Sequence, residues 1–180
     1  MTAVTEFSQP PGYYSSMASV PEARCRECVL RPGRLFCDLP AEALEAFDGI
    51  KTVAMFPRAS ALFREGNVAN GVFVICQGRI KLSLSSQSGK RLTLKIAGPG
   101  EVLGLSAVLS GTPYEATAEA LEDATVACVK RRDLLRFLRD HREAYLRVVH
   151  LLSGDLHTAY SRVCSVGLGG SRRLRALRIH

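Results

Sequence analysis

The chain has 180 residues, of which 47% are apolar and six are cysteine, and a formal net charge of +7. That length suits one domain with an appendage, and the apolar fraction can build a core without disulfide staples. Charge interrupts every apolar stretch before it could cross a bilayer, and residues 1–24 lack the basic-then-apolar order of a secretion signal. A cytoplasmic protein with reduced or metal-bound thiols and no membrane partner is therefore expected.

In chain order, residues 1–24 show no periodicity and read as a mobile arm, followed by a cysteine segment over 25–37, "CRECVLRPGRLFC". "DLPAEALEAF" predicts a short helix with Asp38 as N-cap, Pro40 in the first turn, and Leu39, Ala43, Leu44 and Phe47 on one face. From Ile50 to Val129 the texture changes to short apolar runs punctuated by glycine, at the spacing of consecutive strands. In "RIKLSLS", Ile80, Leu82 and Leu84 alternate with Lys81, Ser83 and Ser85, and "SQSGKR" predicts a hairpin turn at Gly89. Many short strands with glycine turns predict a mainly β roll, barrel or sandwich with flanking helices.

After Val129 the period becomes helical. "RRDLLRFLRD" is a short amphipathic helix with Leu134, Leu135 and Leu138 inward. A much longer helix follows, over residues 143–166, on which Tyr145, Val149, Leu152, Leu156, Tyr160 and Val163 form a narrow apolar seam. Such a seam either packs back onto the roll or pairs with the same helix of a second copy. Residues 167–180 are a basic tail. Lys130, Arg131, Arg132, Arg136, Arg139, Arg142 and Arg147 face only Asp133, Asp140 and Glu143, a balance that suits either work near nucleic acid or a solvated helix face.

Over residues 38–167 the order of pieces, with "LFREG", "VFVICQGRIKLSL", "GPGEVLG" and "ALEDATV", resembles the cyclic-nucleotide-binding-type sensor domain of the CRP/FNR bacterial transcription regulators. Gly66, Gly78, Gly100 and Gly104 fall where that family places its turn glycines. The resemblance implies a β-roll of the double-stranded β-helix or jelly-roll type over 38–142, then a dimerisation helix. In the family a helix-turn-helix DNA-binding domain comes next. Too few residues remain here to make one, so the chain reads as a truncated regulator or a stand-alone dimeric sensor, able to form heterodimers with a full-length relative.

By the same resemblance Gly100, Glu101, Gly104, Leu105, Glu115, Ala116 and Thr117 line the ligand cradle. In cAMP-binding members a glutamate at the Leu105 position holds the ribose, and an arginine at the Glu115 position holds the cyclic phosphate. Leucine cannot accept the ribose O–H, and a carboxylate repels a phosphate. Cyclic nucleotide binding is therefore not expected. The replacement pattern resembles the FNR branch, whose oxygen sensors hold a [4Fe–4S] cluster on an N-terminal cysteine group and a fourth cysteine from the roll. Cys25, Cys28, Cys37 and Cys128 are the corresponding candidates, with Cys128 one residue later than the family's fourth ligand; a zinc site and metal-free redox thiols stay open. Cys76 and Cys164 read as ordinary cysteines, and His150, Asp155 and His157 as an exposed helix face. A stand-alone small-ligand module is the other class of function. No nucleophile–base or paired-carboxylate arrangement marks an enzyme.

Overall fold

The structure is a computed structural model that describes residue 25 and residues 34–85 and 90–168. Its elements run α1 (Ala41–Ile50), β1 (Lys51–Phe56), β2 (Ala61–Phe63), β3 (Gly71–Gln77), β4 (Ile80–Ser85), β5 (Arg91–Ala97), β6 (Val102–Leu103), α2 (Leu105–Ser110), β7 (Thr117–Ala120), β8 (Ala124–Lys130), α3 (Arg131–Asp140) and α4 (Arg142–Leu168). The strands form two antiparallel four-stranded sheets, ordered β1-β8-β3-β6 and β2-β7-β4-β5. Chain neighbours repeatedly land in opposite sheets, the topology of a roll. The predicted mainly β roll with flanking helices and a long C-terminal helix is the observed fold.

One continuous apolar core holds it, with two groups of aromatic rings. Inside the roll, Phe63 stacks on Tyr114 with centroids 4.1 Å apart and packs on Phe73 at 5.4 Å, which in turn meets Phe56 edge-on. On the outer face of the first sheet, Phe36, Phe47 of α1 and Phe137 of α3 form a three-ring cluster over buried Val72, Val129 and Leu134. Gly66, Gly78, Gly100 and Gly104 all have positive φ, which accounts for glycine at those turns.

Local chemistry departs from expectation in three places. Helix α1 starts at Ala41 with Pro40 in the N-cap position, which has no side-chain acceptor; Asp38, two residues earlier, places its carboxylate 3.3 Å from Arg147. On α3 the buried residues are Leu134, Phe137 and Leu138, while Leu135 is half-buried, so Phe137 takes the inward place assigned to Leu135. On β4 the pairing with β5 slips between Leu82 and Ser83, and Ser83 is buried although it falls on the polar side of the alternation. The hairpin turn at Gly89 lies outside the described residues.

Candidate functional site

The cradle begins where β5 turns into β6. Glu101 folds back over this turn: its carboxylate accepts the Gly98 N–H at 2.6 Å and pairs with the Lys95 ammonium at 2.6 Å. Partial burial pushes the Glu101 carboxyl up, but Lys95, the Gly98 N–H and nearby Arg34 outweigh it and hold it below the usual range. Glu101 thus secures the turn. It offers no open carboxylate to a ligand.

Helix α2 follows, six residues long between the positive-φ residues Gly104 and Gly111. Its Leu105, Ala107 and Val108 are buried. A β-carbon on Gly104 would lie 2.7 Å from the Tyr114 ring, so that ring sits directly on the start of the helix. The Tyr114 hydroxyl donates to the Gly71 carbonyl at 2.5 Å and accepts the Gly71 N–H, fixing the ring in place. Of the other cradle positions, Glu115 is exposed and Ala116 buried, and the Thr117 hydroxyl accepts the Glu65 N–H at 3.1 Å. Glu119 is taken up by Lys81 at 3.1 Å and Arg91 at 3.7 Å. The cradle's backbone is present, with apolar and acidic side chains at the positions that grip a nucleotide. Tyr114 was not picked out from sequence: nothing in "GTPYEAT" says which way its ring turns.

The cysteines divide between the two faces of the first sheet. Lys51 is paired with Val129, and its ammonium donates to the Cys25 sulfur at 3.0 Å and pairs with Asp48 at 2.6 Å. Cys25 therefore lies on the helix side. Its backbone N–H donates to the Asp48 carboxylate at 3.3 Å. Cys128 is paired with Thr52 and with Phe73, one position along, and so faces the interior of the roll beside Tyr114. The one-residue offset of Cys128 from the family position thus places it across the sheet from Cys25. Burial pushes both thiols up to about 12, with Lys51 countering it at Cys25 and Cys76 adding to it at Cys128. Among the described residues no three Cys, His, Asp or Glu side chains converge on a point that could hold a metal, His150, Asp155 and His157 included. Cys28 lies outside the described residues. The residues described do not fit a four-cysteine cluster that includes Cys128.

Among its described side chains, the long helix packs on the core near its start. Ala144 and Val148 are buried and Leu151 and Leu152 lean on the core, while Tyr145, Val149, Leu156 and Tyr160 are 40–62% exposed. Of the predicted seam, Leu152 alone packs back on the roll; the Val163 side chain lies outside the described residues. Strand β5 adds a second apolar strip, with Leu92, Leu94 and Ile96 exposed. No helix among the described residues is long and apolar enough to cross a membrane.

Two depressed carboxyls give the domain an acid limit. Asp48 is held down by Lys51 and the Cys25 N–H against the opposing effect of burial, and Glu101 by Lys95 and Gly98. A carboxyl depressed on folding contributes stability above its unfolded value, and that stability is lost as pH falls through the folded one. The urea midpoint should be flat near neutrality and drop once pH passes below the ordinary values of 3.8 for Asp48 and 4.5 for Glu101. Glu101→Gln should flatten part of that drop; an unchanged profile would mean that Glu101 gains nothing from its partners.

Comparison with known proteins adds the family. Residues 54–141 match the cyclic nucleotide-binding domain. The chain is 27% identical over 85 residues to the cyclic AMP receptor protein of Thermus thermophilus, covering 47% of this chain and 39% of that protein. It is 27% identical over 173 residues to the transcriptional activator protein Anr of Pseudomonas aeruginosa, covering 88% and 70%. The crystal structure of the Thermus thermophilus catabolite activator protein superposes with a TM-score of 0.69 at 23% identity, over 74% of this chain and 62% of that one. The chain thus spans between 39% and 70% of the length of these relatives. Over residues 54–141 the chain is thus similar to cyclic nucleotide-binding domains, and across most of its length it is similar to a transcriptional activator of the CRP/FNR type.

Proposed function

We propose that this chain is the sensor and dimerisation portion of a CRP/FNR-type transcriptional regulator, with no enzymatic activity, whose roll no longer takes a cyclic nucleotide and whose signal enters through the cysteine segment. The observation that carries the reading is the state of the cradle. Leu105 is buried, Glu115 points to solvent, and Tyr114 covers the start of α2. Each lost charge-assisted contact forfeits about 1.5–3 kcal/mol, so millimolar or weaker affinity is expected where a working cradle binds far more tightly.

The exposed face of α4 supports a homodimer through residues 143–166, with a related regulator as an alternative partner; co-expression that returns only homodimers would remove the second idea. Binding to DNA belongs to the whole regulator, and the arginines of α3 would add only salt-sensitive attraction to phosphate.

Titration calorimetry with cAMP and cGMP is the test. No heat at about 1 mM nucleotide is the expected result; saturable heat overturns the reading. Anaerobic purification with iron, sulfide and zinc analysis then identifies the cysteine chemistry. Brown protein that bleaches in air would mean an iron–sulfur cluster, whose ligands cysteine-to-serine variants at Cys25, Cys28, Cys37 and Cys128 would then identify. Zinc would mean a metal-thiolate switch, and colourless metal-free protein would mean thiols that work as thiols.

A further inference from the structure

Residues 34–38 form a turn closed by the Asp38 N–H, which donates to the Arg34 carbonyl over 3.1 Å. Its side chains reach three different parts of the molecule. Phe36 enters the three-ring cluster with α1 and α3. Arg34 lies over Gly100 so closely that a β-carbon there would fall on its side chain, and its charge favours the Glu101 carboxylate. Asp38 accepts from Arg147 of α4 at 3.3 Å. Cys37 sits inside the same hydrogen-bonded loop, 8% exposed.

The Cys37 thiol is the one member of this turn that redox chemistry can alter. A buried side chain in a close-packed interior cannot be enlarged or drawn toward a ligand while the turn around it stays closed. We infer that the turn is a relay: displacing Cys37 releases Arg34 from Gly100 and Asp38 from Arg147 together, so the state of one thiol reaches both the cradle loop and the first turns of α4. Either contact alone is weak, since a half-exposed ion pair contributes little. The coupling arises because both hang from the same five-residue turn, a physical connection and not mere proximity. The relay rests on the reading that the signal enters at the cysteine segment.

Coupling is reciprocal, and that supplies the test. In the full chain, alkylation by iodoacetamide, in which the thiolate sulfur displaces iodide, is followed peptide by peptide. Arg34→Ala and Arg147→Ala should each speed the reaction of Cys37 by about fivefold or more. Cys128, on the other face of the sheet, should keep its rate. In the converse experiment Cys37→Met lengthens the buried side chain, and hydrogen exchange should quicken at both 98–104 and 142–150. Equal acceleration of Cys37 and Cys128 would mean general loosening and would overturn the relay, as would faster exchange at only one of the two segments. If Cys37→Met does not fold, the alkylation rates in the two arginine variants decide alone. Neither measurement needs a metal, an oxidant or a nucleotide, so heat with cAMP would sink the functional reading and still leave the relay result legible.

Discussion

Phe36→Ala is expected to lower the free energy of unfolding by about 3–5 kcal/mol. Phe36 has no exposed surface; it stacks on Phe47 with centroids 4.9 Å apart and meets Phe137 edge-on at 6.2 Å. Truncation removes the transfer free energy of the ring and leaves a cavity between two helices that are themselves fixed to the sheet, so little collapse can fill it. The residue belongs to the cysteine segment, upstream of the roll, and the result therefore bears on architecture. Urea denaturation should show a lower midpoint with an unchanged slope, because the surface exposed on unfolding stays nearly the same. A loss under about 1 kcal/mol would show that the cysteine turn is not part of the cooperative core.

The roll was legible because its signals are local and agree with one another. Glycines at Gly66, Gly78, Gly100 and Gly104 mark turns that need positive φ, and apolar runs between them have strand length. The helices were legible from their 3.6 period, although Leu135 stood where Phe137 belongs, since a period fixes a face and leaves its edges to packing. The Asp38 cap failed for a related reason. Capping depends on where the first turn begins: the helix starts at Ala41 with Pro40 at the N-cap, two residues beyond Asp38, whose carboxylate pairs with Arg147.

The candidate site was legible only as far as single positions carry it. Leu105 and Glu115 announce by residue type alone that the nucleotide chemistry is missing. That Tyr114 then covers Gly104, or that Arg34 covers Gly100, depends on which strand ends meet, and no spacing in the sequence states it. The cysteines show the limit most sharply. Cys25 and Cys128 are the same residue type in a promising order, yet a single step along β8 decides which face of the sheet receives the sulfur. Lys51 and Asp48, which hold Cys25, lie more than twenty residues from it and carry no motif.

If the proposed homodimer forms through α4, the double variant Val149→Glu with Leu156→Glu is expected to turn it into a monomer. Both side chains lie on the outward face of α4, 40% and 55% exposed, with Tyr145 and Tyr160 above and below. An outward apolar stripe of this kind on a helix of 27 residues is wasted surface unless another helix covers it. Across a two-fold axis the substitutions would bring four carboxylates into one apolar seam, each of them unpaired and facing its own copy. The dissociation constant should rise by at least about a hundredfold, which corresponds to roughly 2.7 kcal/mol. Fold stability should stay within about 0.5 kcal/mol, because in the isolated chain both positions already face water. Sedimentation equilibrium reads the first quantity and urea denaturation the second, so misfolding cannot be mistaken for dissociation. A variant that remains dimeric would take the interface off this helix and turn attention to the exposed apolar residues Leu92 and Ile96 of β5.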